Sequence, residues 1–262
     1  MRRIIMTSAC AVIVAGLVLT AQQGPTLQTA LAASGANGLR SVVFTATGRA
    51  FVLGQPATAA DPWPMRDIKS YQVSLDYGTG SMRVEQVLTM PTPAPRGGGG
   101  AFTGEQRQVQ LVRGAYAWAE TTGQGGAVQT NAQPANAADR LMWMWMASPQ
   151  GLLKAAGTSA SRPVADGAEL AYTVGGRLSL RVHINKMNQV DRAQALLPND
   201  VFGDMLVETT YAGYKDFGGI QFPTRITQRQ GGHPTLDLTV TGVKTNEFVD
   251  ITVPDNVRSP PE

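Results

Sequence analysis

Between Met205 and Pro254 the chain reads as a run of short β segments broken by turns at Gly218-Gly219 and Gly231-Gly232. Leu236, Leu238 and Val240 lie at period two along one such segment, the mark of a half-buried antiparallel strand. Gly218-Gly219 and Gly231-Gly232 supply the positive φ that tight reversals need. Three strands in a row follow. The stretch dictates a curved antiparallel sheet while offering no catalytic group.

The same period continues upstream. Strands are expected over Ser41 to Leu53, Ile68 to Tyr77 (with Tyr71, Val73, Leu75 and Tyr77 on one face) and Met82 to Leu88. Further strands are expected over Gln106 to Val112, Ala115 to Glu120, Glu169 to Val174, Leu178 to Ile184 and Gln189 to Leu196. Pro91 to Gly104 and Thr121 to Gln133 read as loops. One stretch breaks the pattern. Asn136 to Ala156 reads as two helices, the first with Asn136 or Asp139 as N-cap, the second with Ser148 as N-cap, Pro149 in its first turn and Gly157 beyond its end. The expected fold is therefore mainly β: a curved antiparallel sheet or incomplete β-barrel of about ten or eleven strands, with a helical lid over its concave side.

The N-terminus reads as an export signal. Arg2 and Arg3 precede an uncharged apolar stretch from Ile4 to Ala21, with candidate cleavage at Ala21 or at Ala30-Leu31-Ala32. The competing reading is an uncleaved membrane anchor, since roughly 18 residues just span a bilayer. Removal of the segment takes away the single cysteine, Cys10, and with it disulfides, thiol catalysis and cysteine-ligated metals. Of 22 Lys and Arg, 20 then face 19 Asp and Glu, a net charge of about +1 with no basic cluster, which disfavours nucleic acid as a partner. The expected organisation is a signal over 1–32, one half-barrel domain over 33–254 in a periplasmic or secreted protein, and a proline-containing tail or linker over 255–262.

Tyr211, Tyr214-Lys215-Asp216, Gly218-Gly219, Phe222-Pro223, Asn246 and Val253-Pro254 together resemble the C-terminal half of the outer-membrane lipoprotein carrier fold. That resemblance implies an incomplete barrel wrapped around a hydrophobic cavity, with helices as its lid. From about Gly35 to Pro254 the chain is also similar to the non-catalytic N-terminal region of exported bacterial metallo-β-lactamase-fold hydrolases. Trp63-Pro64, Lys69-Ser70-Tyr71, the Pro95 to Gly100 run, Gly104-Glu105-Gln106, Pro149 to Ala156 and the segments from Tyr214 to Val240 carry that similarity. Such hydrolases continue into a zinc domain with a His-x-His-x-Asp-His cluster. This sequence holds two histidines, His183 and His233, fifty residues apart, which do not make a zinc site by themselves. No metal or other cofactor is expected.

The strongest functional candidate is Met142-Trp143-Met144-Trp145-Met146, apolar on every side of a helix and so buried on more than one face. Two readings stay open: ordinary core that plugs the sheet, or a ligand-facing lid in which methionine conforms to varied apolar shapes and tryptophan adds a large apolar face. Trp63, Trp118 and Leu152 are candidates for the same wall, with core the competing role for Trp118. His183 and His233 read as solvated side chains, and no acid/base pair or Gly-x-Ser-x-Gly elbow emerges. Gly97 to Gly100 lacks the Gly-Lys-Ser/Thr of a phosphate loop and reads as surface loop. The leading expectation is a non-enzymatic domain that binds a lipid, acyl chain or other apolar ligand, or that accompanies a hydrolase. The alternatives are the N-terminal part of a zinc hydrolase and a structural module whose cavity is self-filled.

Overall fold

The computed structural model describes residues 24–98, 102–198 and 203–258. The expected export segment, with Cys10, lies outside the described residues as far as position 23. Thirteen strands form one antiparallel sheet in the order β6-β5-β4-β3-β2-β1-β13-β12-β11-β10-β9-β8-β7. In chain order these are β1 (Ser41–Phe51), β2 (Met65–Asp76), β3 (Ser81–Thr89), β4 (Glu105–Arg113), β5 (Tyr116–Thr122) and β6 (Val128–Ala132), then β7 (Ser161–Val164), β8 (Gly167–Val174), β9 (Leu178–Asn185), β10 (Val190–Leu197), β11 (Met205–Asp216), β12 (Gln221–Gln230) and β13 (His233–Thr245). Each half of the chain is a meander, and β1 pairing with β13 joins the halves in the middle of the sheet.

Two strands exceed the expected ten or eleven, and they are the two edges. β6, Val-Gln-Thr-Asn-Ala, and β7, Ser-Arg-Pro-Val, carry no inward apolar alternation because each has a partner on one side only. Pro163, which lacks an N–H, is tolerated in β7 for that reason.

Between the two edges runs the helical insert, α2 (Ala137–Met146) and α3 (Pro149–Ala155), as the Ser148-Pro149 signal implies. A further helix, α1 (Leu27–Ala33), precedes the sheet. All three pack on one face, with Phe44 of β1, Leu75 of β2, Val182 of β9, Val207 of β11 and Leu238 of β13 in a single core. A sheet whose strands from β2 to β11 all reach the same small helices is bent around them. Register shifts at Ala46/Gly48, Ile68/Ser70 and Gln228/Arg229 add local bend.

The opposite face carries a second core. Val109, Leu111 and Trp118 are covered by Ile251, Val253 and Val257, the last in the short helix α4 (Asp255–Arg258). Arg113 donates to Ile251 O at 3.0 Å, and Asn256 bonds Thr130 at 2.9 and 3.1 Å. The packed chain thus exceeds the expected limits of 33 and 254 at both ends. Leu27 and Ala30 are buried under the bent sheet, and Val257 is buried outside it, so 255–258 is a strap rather than a free tail.

Candidate functional site

In α2, Met142, Met144 and Met146 are fully buried while Leu141, Trp143 and Trp145 are half-buried. Residues two apart point about 200° apart on a helix, so burial at 142, 144 and 146 requires neighbours on several sides. The hollow of the sheet provides them. The helix is also fastened. Buried Arg140 donates Nη1 to Leu111 O at 3.1 Å and to Trp118 O at 2.5 Å, and Nη2 to Gln133 Oε1. Desolvation pulls its pKa below the ordinary guanidinium value.

At the far end, Tyr211 donates its hydroxyl to Met146 O at 2.6 Å, and Tyr172 donates to Leu152 O at 2.6 Å. Ser148 accepts from Gly151 N at 3.0 Å and shares a hydrogen bond of 2.7 Å with the Tyr77 hydroxyl. Gln150 Nε2 donates to Gln221 O at 2.8 Å and Ser34 O at 3.2 Å. Burial raises the pKa of Tyr77, Tyr172 and Tyr211, which keeps all three neutral. The Met146 carbonyl freed at the end of α2 is therefore satisfied by the sheet, and Leu152 O, which also accepts from Ala156 N, gains a second donor.

α1 and α3 fill one end of the hollow. Towards the other end, where the β12–β13 turn lies, a cavity of about 250 Å³ remains between the sheet and Trp143 and Met146 of α2 and the adjoining Ala147. Its floor is Phe44, Val73, Met82, Ile226 and Leu238, and its sides are Tyr71, Gln86, Gln110, Thr209, Gln228 and Thr235. Among the described lining residues none carries a charge. Gln228 is tied up, donating to Thr209 Oγ1 at 3.3 Å and accepting from Thr235 Oγ1 at 3.2 Å. A groove of about 590 Å³ lies on the outer face beneath the strap, but Arg83, Lys244, Glu247 and Asp250 make its walls polar. The smaller cavity, unlike the groove, has no charged residue among its described lining.

Of the residues expected at a ligand wall, Trp143 and Met146 line this cavity. Met142, Met144 and Leu152 are core around it. Trp145 stacks on Tyr77 with ring centroids 6.4 Å apart. Trp63 stacks on His233 at 4.4 Å, outside the lining. Trp118 is a correction. It pairs with Leu111, so both occupy the face opposite neighbouring Gln110, which looks into the cavity. Tyr71, Gln86, Gln110 and Thr209 were missed as lining residues. The signal for Tyr71 and Val73 existed in their shared face, but which residues approach a gap beneath a helix depends on how the sheet bends.

His183 is a second correction. It is buried rather than solvated, with Nδ1 2.6 Å from Asp191 Oδ1 and Nε2 3.2 Å from Asp166 Oδ1. The β7–β8 turn folds over this part of the outer face, which strand alternation alone does not reveal.

No protein-family model and no curated protein matches the chain. Among solved structures it is similar to a LolA superfamily protein from Nitrosomonas europaea, at 15% identity over 86% of this chain and 95% of that one, with a TM-score of 0.47. It is also similar to the lipoprotein LppX from Mycobacterium tuberculosis, at 15% identity over 86% and 98% of the two chains, with a TM-score of 0.33. Neither is named as a metallo-β-lactamase-fold hydrolase, and the expected link to such hydrolases gains no support.

Proposed function

We propose that this protein is a non-enzymatic, exported binding module that takes one apolar chain, such as an acyl chain, into the cavity beneath α2. The observation that supports this reading is an uncharged cavity of about 250 Å³ between the bent sheet and the Trp143–Ala147 turn. Its size suits a single chain, since drug-sized pockets start at about 300 Å³. Burial of a few hundred Å² of hydrocarbon at roughly 25 cal/mol per Å² gives such a ligand useful affinity before ordering costs. Because α2 and α3 are bonded to the sheet from Arg140 to Leu152, entry is assigned to the mouth beside Gln86, Gln110 and Trp143 rather than to a lifting of the whole segment 139–156.

The test is titration with the fluorescent apolar probe N-phenyl-1-naphthylamine, together with native mass spectrometry of the purified protein. Saturable probe binding, displaced by medium-chain acyl compounds and weakened in Leu238→Trp, is the expected result. No saturable binding, or binding unaltered by that filled cavity, refutes the reading.

Processing is assigned to the earlier position, near Ala21. Cleavage after Ala32 would remove Leu27 and Ala30 from the core and cut α1, whose Thr26 cap and hydrogen bond from Leu27 N to Ser161 Oγ (2.8 Å) tie it to β7. Intact mass of the exported protein is expected to show α1 retained. A mature chain that starts at residue 33 and is equally stable would contradict this.

A further inference from the structure

On the proposed reading of the cavity, we infer that its preferred ligand is a neutral amphiphile, an apolar chain that carries an uncharged hydrogen-bonding group such as an ester, rather than a bare hydrocarbon or an ionised fatty acid. The polar groups of the cavity are not scattered. Tyr71 of β2 stands opposite Gln86 of β3, which stands opposite Gln108 of β4, so the three share the concave face in one row across three strands. Gln110, two residues on from Gln108, lies on the same face one step further along β4 and lines the cavity.

Hydrogen-bonding capacity along the row is left over. Gln86 Nε2 donates to Gln108 Oε1 at 2.8 Å, which leaves the Gln86 carbonyl oxygen without a donor. The Tyr71 hydroxyl and the Gln110 amide have no hydrogen-bond partner among the described residues. Burial pushes the Tyr71 phenol up to about 12, so it keeps its proton and offers it. The far wall differs, because Gln228, Thr209 and Thr235 satisfy one another. A ligand carbonyl seated beside Tyr71 receives a proton donor, while its chain runs over Phe44, Ile226 and Leu238 towards Met146. An ionised carboxylate in the same place would give up part of its hydration and meet no cation among the lining residues. Such mismatch favours the ester, because polar complementarity discriminates more strongly than apolar fit.

The experiment measures displacement of N-phenyl-1-naphthylamine by methyl decanoate, decane and decanoate at pH 8. The ester is expected to bind about tenfold more tightly than either of the others, the effect of one well-made hydrogen bond. In Tyr71→Phe the ester should fall towards decane, while decane itself changes less than about twofold. Decanoate that competes as well as the ester, or an ester preference that survives Tyr71→Phe, overturns the inference while leaving apolar-chain binding intact. If none of the three displaces the probe, the cavity reading falls and this inference falls with it.

Discussion

Trp118→Ala is expected to lower the free energy of unfolding by about 3–5 kcal/mol while leaving the affinity for an apolar probe unchanged. The indole is 1% exposed and packed between Leu111 and the strap residues Ile251, Val253 and Val257, so truncation leaves a void that the strap alone has to close. A loss of that size is a large part of the 5–15 kcal/mol that holds a typical domain together. Trp118→Phe should cost much less, because the ring is largely kept and an indole N–H that has no partner is removed. Trp143→Ala is the contrasting case. Its side chain is half-buried and lines the cavity, so stability should fall less than for Trp118 and probe affinity should fall more. Urea unfolding and probe titration of the three variants separate these effects. Loss of probe affinity in Trp118→Ala at unchanged fold would mean that the two faces of the sheet are coupled.

The contrast between these tryptophans shows where residue patterns stop being informative. Period-two alternation located eleven strands, because each has two neighbours and a face that meets the helices. It missed β6 and β7, whose single neighbour and polar surroundings demand no alternation. The Ser148-Pro149 signal and the Met142–Met146 run placed the helices and predicted burial on several sides, since both depend on local chemistry and helical geometry. Which side of β5 looks inward could not be read from Tyr116 to Glu120, because apolar residues at 117 and 118 suit either face and the strap from Ile251 to Val257 decides. His183 was misjudged for a related reason: Asp166 and Asp191 reach it from other strands and turns.

Gly48→Ala is expected to destabilise the domain by about 3 kcal/mol and to distort the cavity as well. Gly48 lies in the middle of β1, opposite Leu238 of β13 and Ile68 of β2, beside the register shift that bends the strand. A methyl group there would approach Asp237 O to 2.0 Å and Leu238 Cα to 3.0 Å, and φ is +155°. The obstacle is backbone, so relief requires β1 and β13 to separate where both are paired on each side. Leu238 belongs to the cavity floor, so any such separation shifts the wall that an apolar chain would contact. With a urea m-value of roughly 1–3 kcal/mol per M, the midpoint should drop by about 1 M or more. Gly218→Ala is the control: its φ is +68°, but nothing lies within 4 Å of the added carbon, so only backbone strain of about 1–2 kcal/mol is expected. Equal losses in the two variants would show that conformational strain alone sets the cost, and that close packing of β1 on β13 is not what shapes the hollow.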